Sequence, residues 1–125
     1  MSFGINYVAG GRFDPPFMPT KTKPYVKGQM LESIGGGIQR VYFEPEVDIE
    51  LLAVSVGASE YEARDYWELF VDGEQLCDTI FTKDLPEGMY FLAIIPVEAG
   101  KTLEFVFHNE GARPKFVWVN YQMLK

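Results

Sequence analysis

The chain has 125 residues, 47% of them hydrophobic and 15% aromatic, with a net charge of −7 and a pI near 4.6. Such a length fits one domain with a real core. The acidic balance argues against nucleic acid as partner, because phosphate binding needs clustered Lys and Arg. A single cysteine, Cys77, excludes an internal disulfide, and no apolar run of about 18 residues or signal-peptide pattern marks a membrane protein. A soluble protein made in the cytoplasm is expected.

The first part of the chain differs in kind from the rest. Gly10-Gly11, Pro15-Pro16, Pro19 and Pro24 break up any helix or long strand. Aromatic residues nevertheless recur there: Phe3, Tyr7, Phe13, Phe17 and Tyr25. A disordered tail rarely carries so many. Residues 1–37 therefore read as an extended arm that docks its aromatics on a folded surface, its own or a neighbour's. The arm is basic: Arg12, Lys21, Lys23 and Lys27 against Asp14 give +3 over residues 1–31, which leaves −10 for the remainder. Gly35-Gly36-Gly37 lacks the Lys-Ser/Thr of a phosphate loop and reads as the hinge between arm and body.

The body, residues 38–125, shows short apolar runs between turn signals, the pattern of an all-β sandwich. Strands are expected near 38–44, 47–56, 66–71, 75–82, 89–96, 102–108 and 115–123. Asp72-Gly73 predicts a type I′ hairpin, in which both residues need positive φ. Val47, Ile49 and Leu51 alternate with Glu44, Glu46, Asp48 and Glu50, so an acidic outer row is expected there, a landing strip for Lys21 and Lys23. The phase slips at Leu51-Leu52, which predicts a β-bulge. Residues 89–95 are apolar on both faces and read as a central, fully covered strand. Ser59 and Glu62 fit a capping box, so one or two helical turns are expected there.

Chemistry is sparse. His108, the only histidine, cannot build a histidine cluster, and it reads as solvated at a strand end. Cys77 and His108 form the only thiol–imidazole pair available, yet Cys77 sits inside a strand where buried, inert cysteines are usual. Carboxylates around residues 60–65 and 72–78 are numerous, as in any acidic protein. A glycosidase pair ranks low among their uses. No metal site or cofactor is expected, calcium on the acidic loops being the minor candidate. The last strand is more informative. Val117, Val119, Tyr121 and Met123 read as core, while Phe116, Trp118, Asn120 and Gln122 form a ring-plus-amide face of the kind that stacks sugars or packs against protein.

Seven or eight antiparallel strands behind an extended arm give the fold expectation: an all-β, jelly-roll-like sandwich with an N-terminal arm. This plan resembles that of small phage virion proteins, namely decoration, fibre-base and baseplate or tail components. The stretch Pro114–Tyr121 is also similar to the closing strand of galactose-binding modules. The resemblance implies a non-enzymatic assembly protein of a virion, made in the host cytoplasm, whose arm docks on neighbouring subunits or other virion proteins. The alternatives are a carbohydrate-binding module centred on Trp118 and, ranked last, a small β-sandwich hydrolase. Neither nucleic acid nor membrane is an expected partner.

Overall fold

The structure, a computed structural model, describes residues 6–8, 11–13, 18–82 and 87–125. Ten strands follow in chain order: β1 (Asn6–Val8), β2 (Gly11–Phe13), β3 (Pro24–Ser33), β4 (Ile38–Phe43), β5 (Ile49–Ala58), β6 (Tyr66–Val71), β7 (Glu74–Phe81), β8 (Glu87–Val97), β9 (Leu103–His108) and β10 (Lys115–Leu124). No helix occurs among the described residues.

β1 and β2 pair with each other as a small antiparallel ribbon. The rest form two four-stranded antiparallel sheets, ordered β3-β10-β5-β8 and β4-β9-β6-β7. The pairing is nested. β6 meets β7 across a tight turn, and β5 meets β8, β4 meets β9 and β3 meets β10 at steadily larger separations along the chain. Alternate residues point between the sheets, because successive side chains of a strand face opposite ways. The core so formed includes Leu51, Leu69, Phe105, Phe107, Val117 and Tyr121, all buried. Trp67 closes on Phe105 with ring centroids 5.6 Å apart, and Phe43 stacks on Tyr121 at 6.0 Å.

The seven expected body strands are present, and the two local geometries follow the sequence closely. Asp72 and Gly73 have φ of 50° and 83°, joining the paired residues Val71 and Glu74 as a type I′ turn. Leu52 is the extra residue at the expected bulge: Gln122 pairs with Ala53, but Met123 pairs with Leu51.

Four expectations are corrected. The sandwich begins at Pro24, not Ile38: residues 24–33 are a strand paired along its whole length with β10. Pro24 is tolerated because it is the first residue of an edge strand. Gly35-Gly36-Gly37 is accordingly the turn between β3 and β4 rather than a hinge. Gly36 has φ of 65° and donates to the Gly111 carbonyl at 2.8 Å, while a Cβ on Gly35 would lie 2.3 Å from the Ala112 oxygen. The stretch at Ser59–Glu62 is not helical; the Ser59 hydroxyl accepts the Phe116 N–H at 2.9 Å instead. Finally, β8 is an edge strand, open on its outer side, and not a central covered one.

One end of the sandwich is locked by buried polar groups. Asp65 and Lys115 are both fully enclosed and form a short ion pair. The other Asp65 oxygen accepts the Glu110 N–H at 2.8 Å. Buried Asn109 accepts from the Gly111 amide and donates to the Arg113 carbonyl at 3.0 Å. These bonds tie the β5–β6 and β9–β10 connections together.

Candidate functional site

The outer face of the sheet β3-β10-β5-β8 is the most distinctive surface among the described residues. It arises from alternation in β10. Val117, Val119, Tyr121 and Met123 are buried, which turns Phe116, Trp118, Asn120 and Gln122 to the opposite side. Cross-strand register then fixes their neighbours. Trp118 lies between Met30 of β3 and Gly57 of β5, and Asn120 between Gly28 and Ser55, with Gly88 of β8 next in the row. Gln122 lies beside Val26, and Tyr90 stands two residues along β8 from Gly88.

The outcome is a shallow lane across all four strands. Its floor is the small or polar row Gly28, Asn120, Ser55 and Gly88. The Asn120 amide rests over β3, so a Cβ on Gly28 would come within 2.7 Å of its oxygen. Large apolar side chains rise on both sides and stay open to solvent: Val26 61%, Met30 57%, Tyr90 74%, Leu92 89%, Phe116 42% and Trp118 41%. Rows four residues apart on a strand are about 13 Å apart, wide enough for a sugar ring or an extended peptide. β8 adds to the relief, because its residues 91–94 stand opposite Leu52 alone.

The chain approaches β3 over the same face. Glu50 shares the outer side of the sheet with its register partner Leu124 and is buried. The Glu50 carboxylate accepts the Thr20 N–H at 3.0 and 3.1 Å, the Thr20 hydroxyl at 2.8 Å and the Lys21 N–H at 2.9 Å. Burial acts to raise its pKa. The Lys21 amide, the Thr20 hydroxyl and amide, and the Lys21 charge outweigh burial and hold it below the ordinary value of about 4.5. A group ionised more readily when folded stabilises the fold above its unfolded pKa, and the gain is lost as pH falls through the folded value. Amide exchange at Thr20 and Lys21 should therefore accelerate, beyond its intrinsic trend, once pH falls below the ordinary value of about 4.5. Glu50→Gln should weaken protection at neutral pH and abolish that acid step.

The acidic row is thus partly corrected. Glu50 is on the outer side as expected but is buried there under Thr20 and Lys21, and Glu44, Glu46 and Asp48 lie on the β4–β5 loop rather than in a strand. Asp48 accepts the Ala99 N–H at 2.8 Å. It also lines one surface hollow with Lys21 and Lys23, so those expected partners are neighbours within one chain. Glu44 and Glu46 border a cleft of about 430 Å³ with Tyr25, Lys27, Gln29 and Tyr42. Lys125 stands 4.3 Å over the Tyr25 ring. Of the expected arm residues, Phe3 and Phe17 lie outside the described residues. For Tyr7 and Phe13 the strands β1 and β2 are described but not the side chains.

Cys77 and His108 are not brought together. Cys77 is buried opposite Leu69 on the core side. His108 pairs in register with Tyr66 and Ile38 on the outer side. Rather than being solvated, its ring is mostly covered, stacked 4.1 Å from Tyr66 and bonded through Nε2 to Glu68 at 2.7 Å. Burial pushes the Cys77 thiol up to about 11. The folded chain should resist thiol reagents at pH 8 and react fully once denatured; rapid labelling of the native chain would contradict this burial. Among the described residues, no group of three or more His, Cys, Asp or Glu is placed to hold a metal ion.

Sequence reasoning found the β10 half of the face and missed Val26, Met30, Tyr90, Leu92 and the Glu50 clamp. The signal for β3 was present: Val26, Gly28 and Met30 alternate with Lys27, Gln29 and Leu31. Fold and surface together define an antiparallel two-sheet β-sandwich with an open aromatic face. Residues 21–125 match the family described as Domain of unknown function (DUF8551), and the chain belongs to that family. The match begins within the segment clamped by Glu50 and takes in β3 with the rest of the sandwich. No curated protein matches the chain significantly.

Proposed function

We propose that this protein is a non-enzymatic assembly component, built as a jelly roll, that joins copies of itself into a larger particle. The observation that carries the reading is the open apolar face around Trp118, Tyr90 and Leu92. Contiguous exposed apolar surface on a sheet is characteristic of protein contacts, where aromatic residues and Met are enriched. The nested pairing of β3 with β10, β4 with β9, β5 with β8 and β6 with β7 supports the jelly-roll reading, since a long hairpin rolled into two sheets has this order. The plan resembles that of small phage virion proteins, and a virion is the setting proposed. Light scattering on a sizing column tests the reading. The full chain should elute as a defined oligomer, and a monomer at every concentration would overturn it.

The lane floor favours one second reading. Asn120 and Ser55 lie between Trp118 and Tyr90, an arrangement able to stack a sugar ring and hydrogen-bond its hydroxyls. Titration of a glycan panel should then shift tryptophan fluorescence, with the shift lost in Trp118→Ala. A flat response would remove this reading.

A further inference from the structure

We infer that the open face of β3-β10-β5-β8 receives the N-terminal segment, residues 1–17, of a second copy of this chain. The inference rests on the assembly reading and names the contact through which it works. Three observations carry it.

The first is where the segment leaves the fold. The Glu50 clamp holds Thr20 and Lys21 over the outer side of this sheet, which puts the attachment point of residues 1–17 on the side of the apolar face. The second is composition. Phe3, Tyr7, Phe13 and Phe17 are large apolar side chains with an anchor's chemistry, and the face offers Trp118, Met30, Tyr90 and Leu92 as their counterparts. The third is pairing. Among the described residues, β1 and β2 form a two-stranded ribbon with no ladder to either four-stranded sheet, and such a ribbon is at best marginally stable without a surface to pack on. In the single chain the face itself stays exposed. A ribbon that needs a surface and a surface that needs a cover belong to the same molecule, and exchange between copies satisfies both. Reach suffices even with the chain doubled back in the ribbon: four residues can span on the order of 13 Å and a three-residue strand adds about 10 Å, against about 15 Å across four strands.

This moves the landing site away from the acidic row, whose Glu50 already holds its own chain. Isologous exchange would close a twofold dimer, and heterologous exchange would build a ring or a chain of subunits.

Photo-crosslinking tests the contact in the full chain. Chains carrying p-benzoylphenylalanine in place of Phe13 are mixed, half of them labelled with nitrogen-15, then irradiated and mapped by mass spectrometry. Cross-links between a labelled and an unlabelled chain, landing on peptides that hold Tyr90, Leu92, Met30 or Trp118, are expected. Cross-links confined to single chains would overturn the second copy as occupant. An oligomer whose cross-links fall elsewhere would overturn the landing site and leave the assembly reading standing. A chain monomeric by light scattering would overturn both.

Discussion

Replacing Asp65 with Asn will lower stability by about 3 kcal/mol, the largest loss expected from any one-atom change in this chain. Asn keeps the shape and can still accept the Glu110 N–H, but its NH2 then faces the Lys115 ammonium, donor against donor, so the loss combines the missing charge with a lost hydrogen bond. Lys115 would be left fully enclosed, its remaining carboxylate being Glu62 at 3.7 Å, which is itself partly exposed. A buried cation without its counterion costs far more than a surface pair returns. A fall in melting temperature on the order of 10 °C should accompany the change. Adding Lys115→Met should recover most of the loss, because removing both charges abolishes the desolvation that the pair offsets. A loss below about 1 kcal/mol would mean that Glu62 replaces Asp65 with little cost.

On the proposed assembly through this face, Trp118→Ala will weaken self-association about thirtyfold, the effect of losing roughly 2 kcal/mol at an aromatic contact centre. Leu92→Lys, on the most exposed apolar side chain of the face, should act in the same direction by placing a charge at the contact. Both residues are exposed in the single chain, so neither change should shift the denaturation midpoint much. The control is Phe81→Lys, which alters an exposed aromatic on the other sheet and should leave association unchanged. Analytical ultracentrifugation of the three variants decides the matter. Equal weakening by all three would point to general loss of apolar surface rather than to this face.

How much of this was legible depended on the range of the forces involved. Strands β4 to β10 could be read because alternation and turn residues act locally: Tyr66–Val71 was placed to the residue, and Asp72-Gly73 could hardly do anything but turn. β3 was missed because its proline and glycine argued against a strand, while its stabilising partner, β10, lies some ninety residues away in the chain. The capping box at Ser59 was a sound local signal that lost to a tertiary bond from the Phe116 amide. The acidic row departs from expectation for a similar reason. Period-two alternation cannot report that Glu50 is covered by Thr20 and Lys21, thirty residues earlier. On the candidate site, β10 announced Trp118 and its neighbours, but only the sheet order reveals that β8 lies open at the edge and that Tyr90 and Leu92 extend the same surface.

The position of β10 has a consequence for how the protein is made. It lies between β3 and β5, yet it is synthesised after every other described strand of the sandwich. Until it clears the ribosome, β3 has no sheet to join and β5 has one free edge. The nascent chain must hold β3 unpaired and one edge of β5 open in the meantime. Long-range closure of this kind is slow and exposes the chain to wrong pairing. Shortening β10 by a few residues would therefore lower yield during synthesis as well as the stability of the closed molecule, whose core loses Met123.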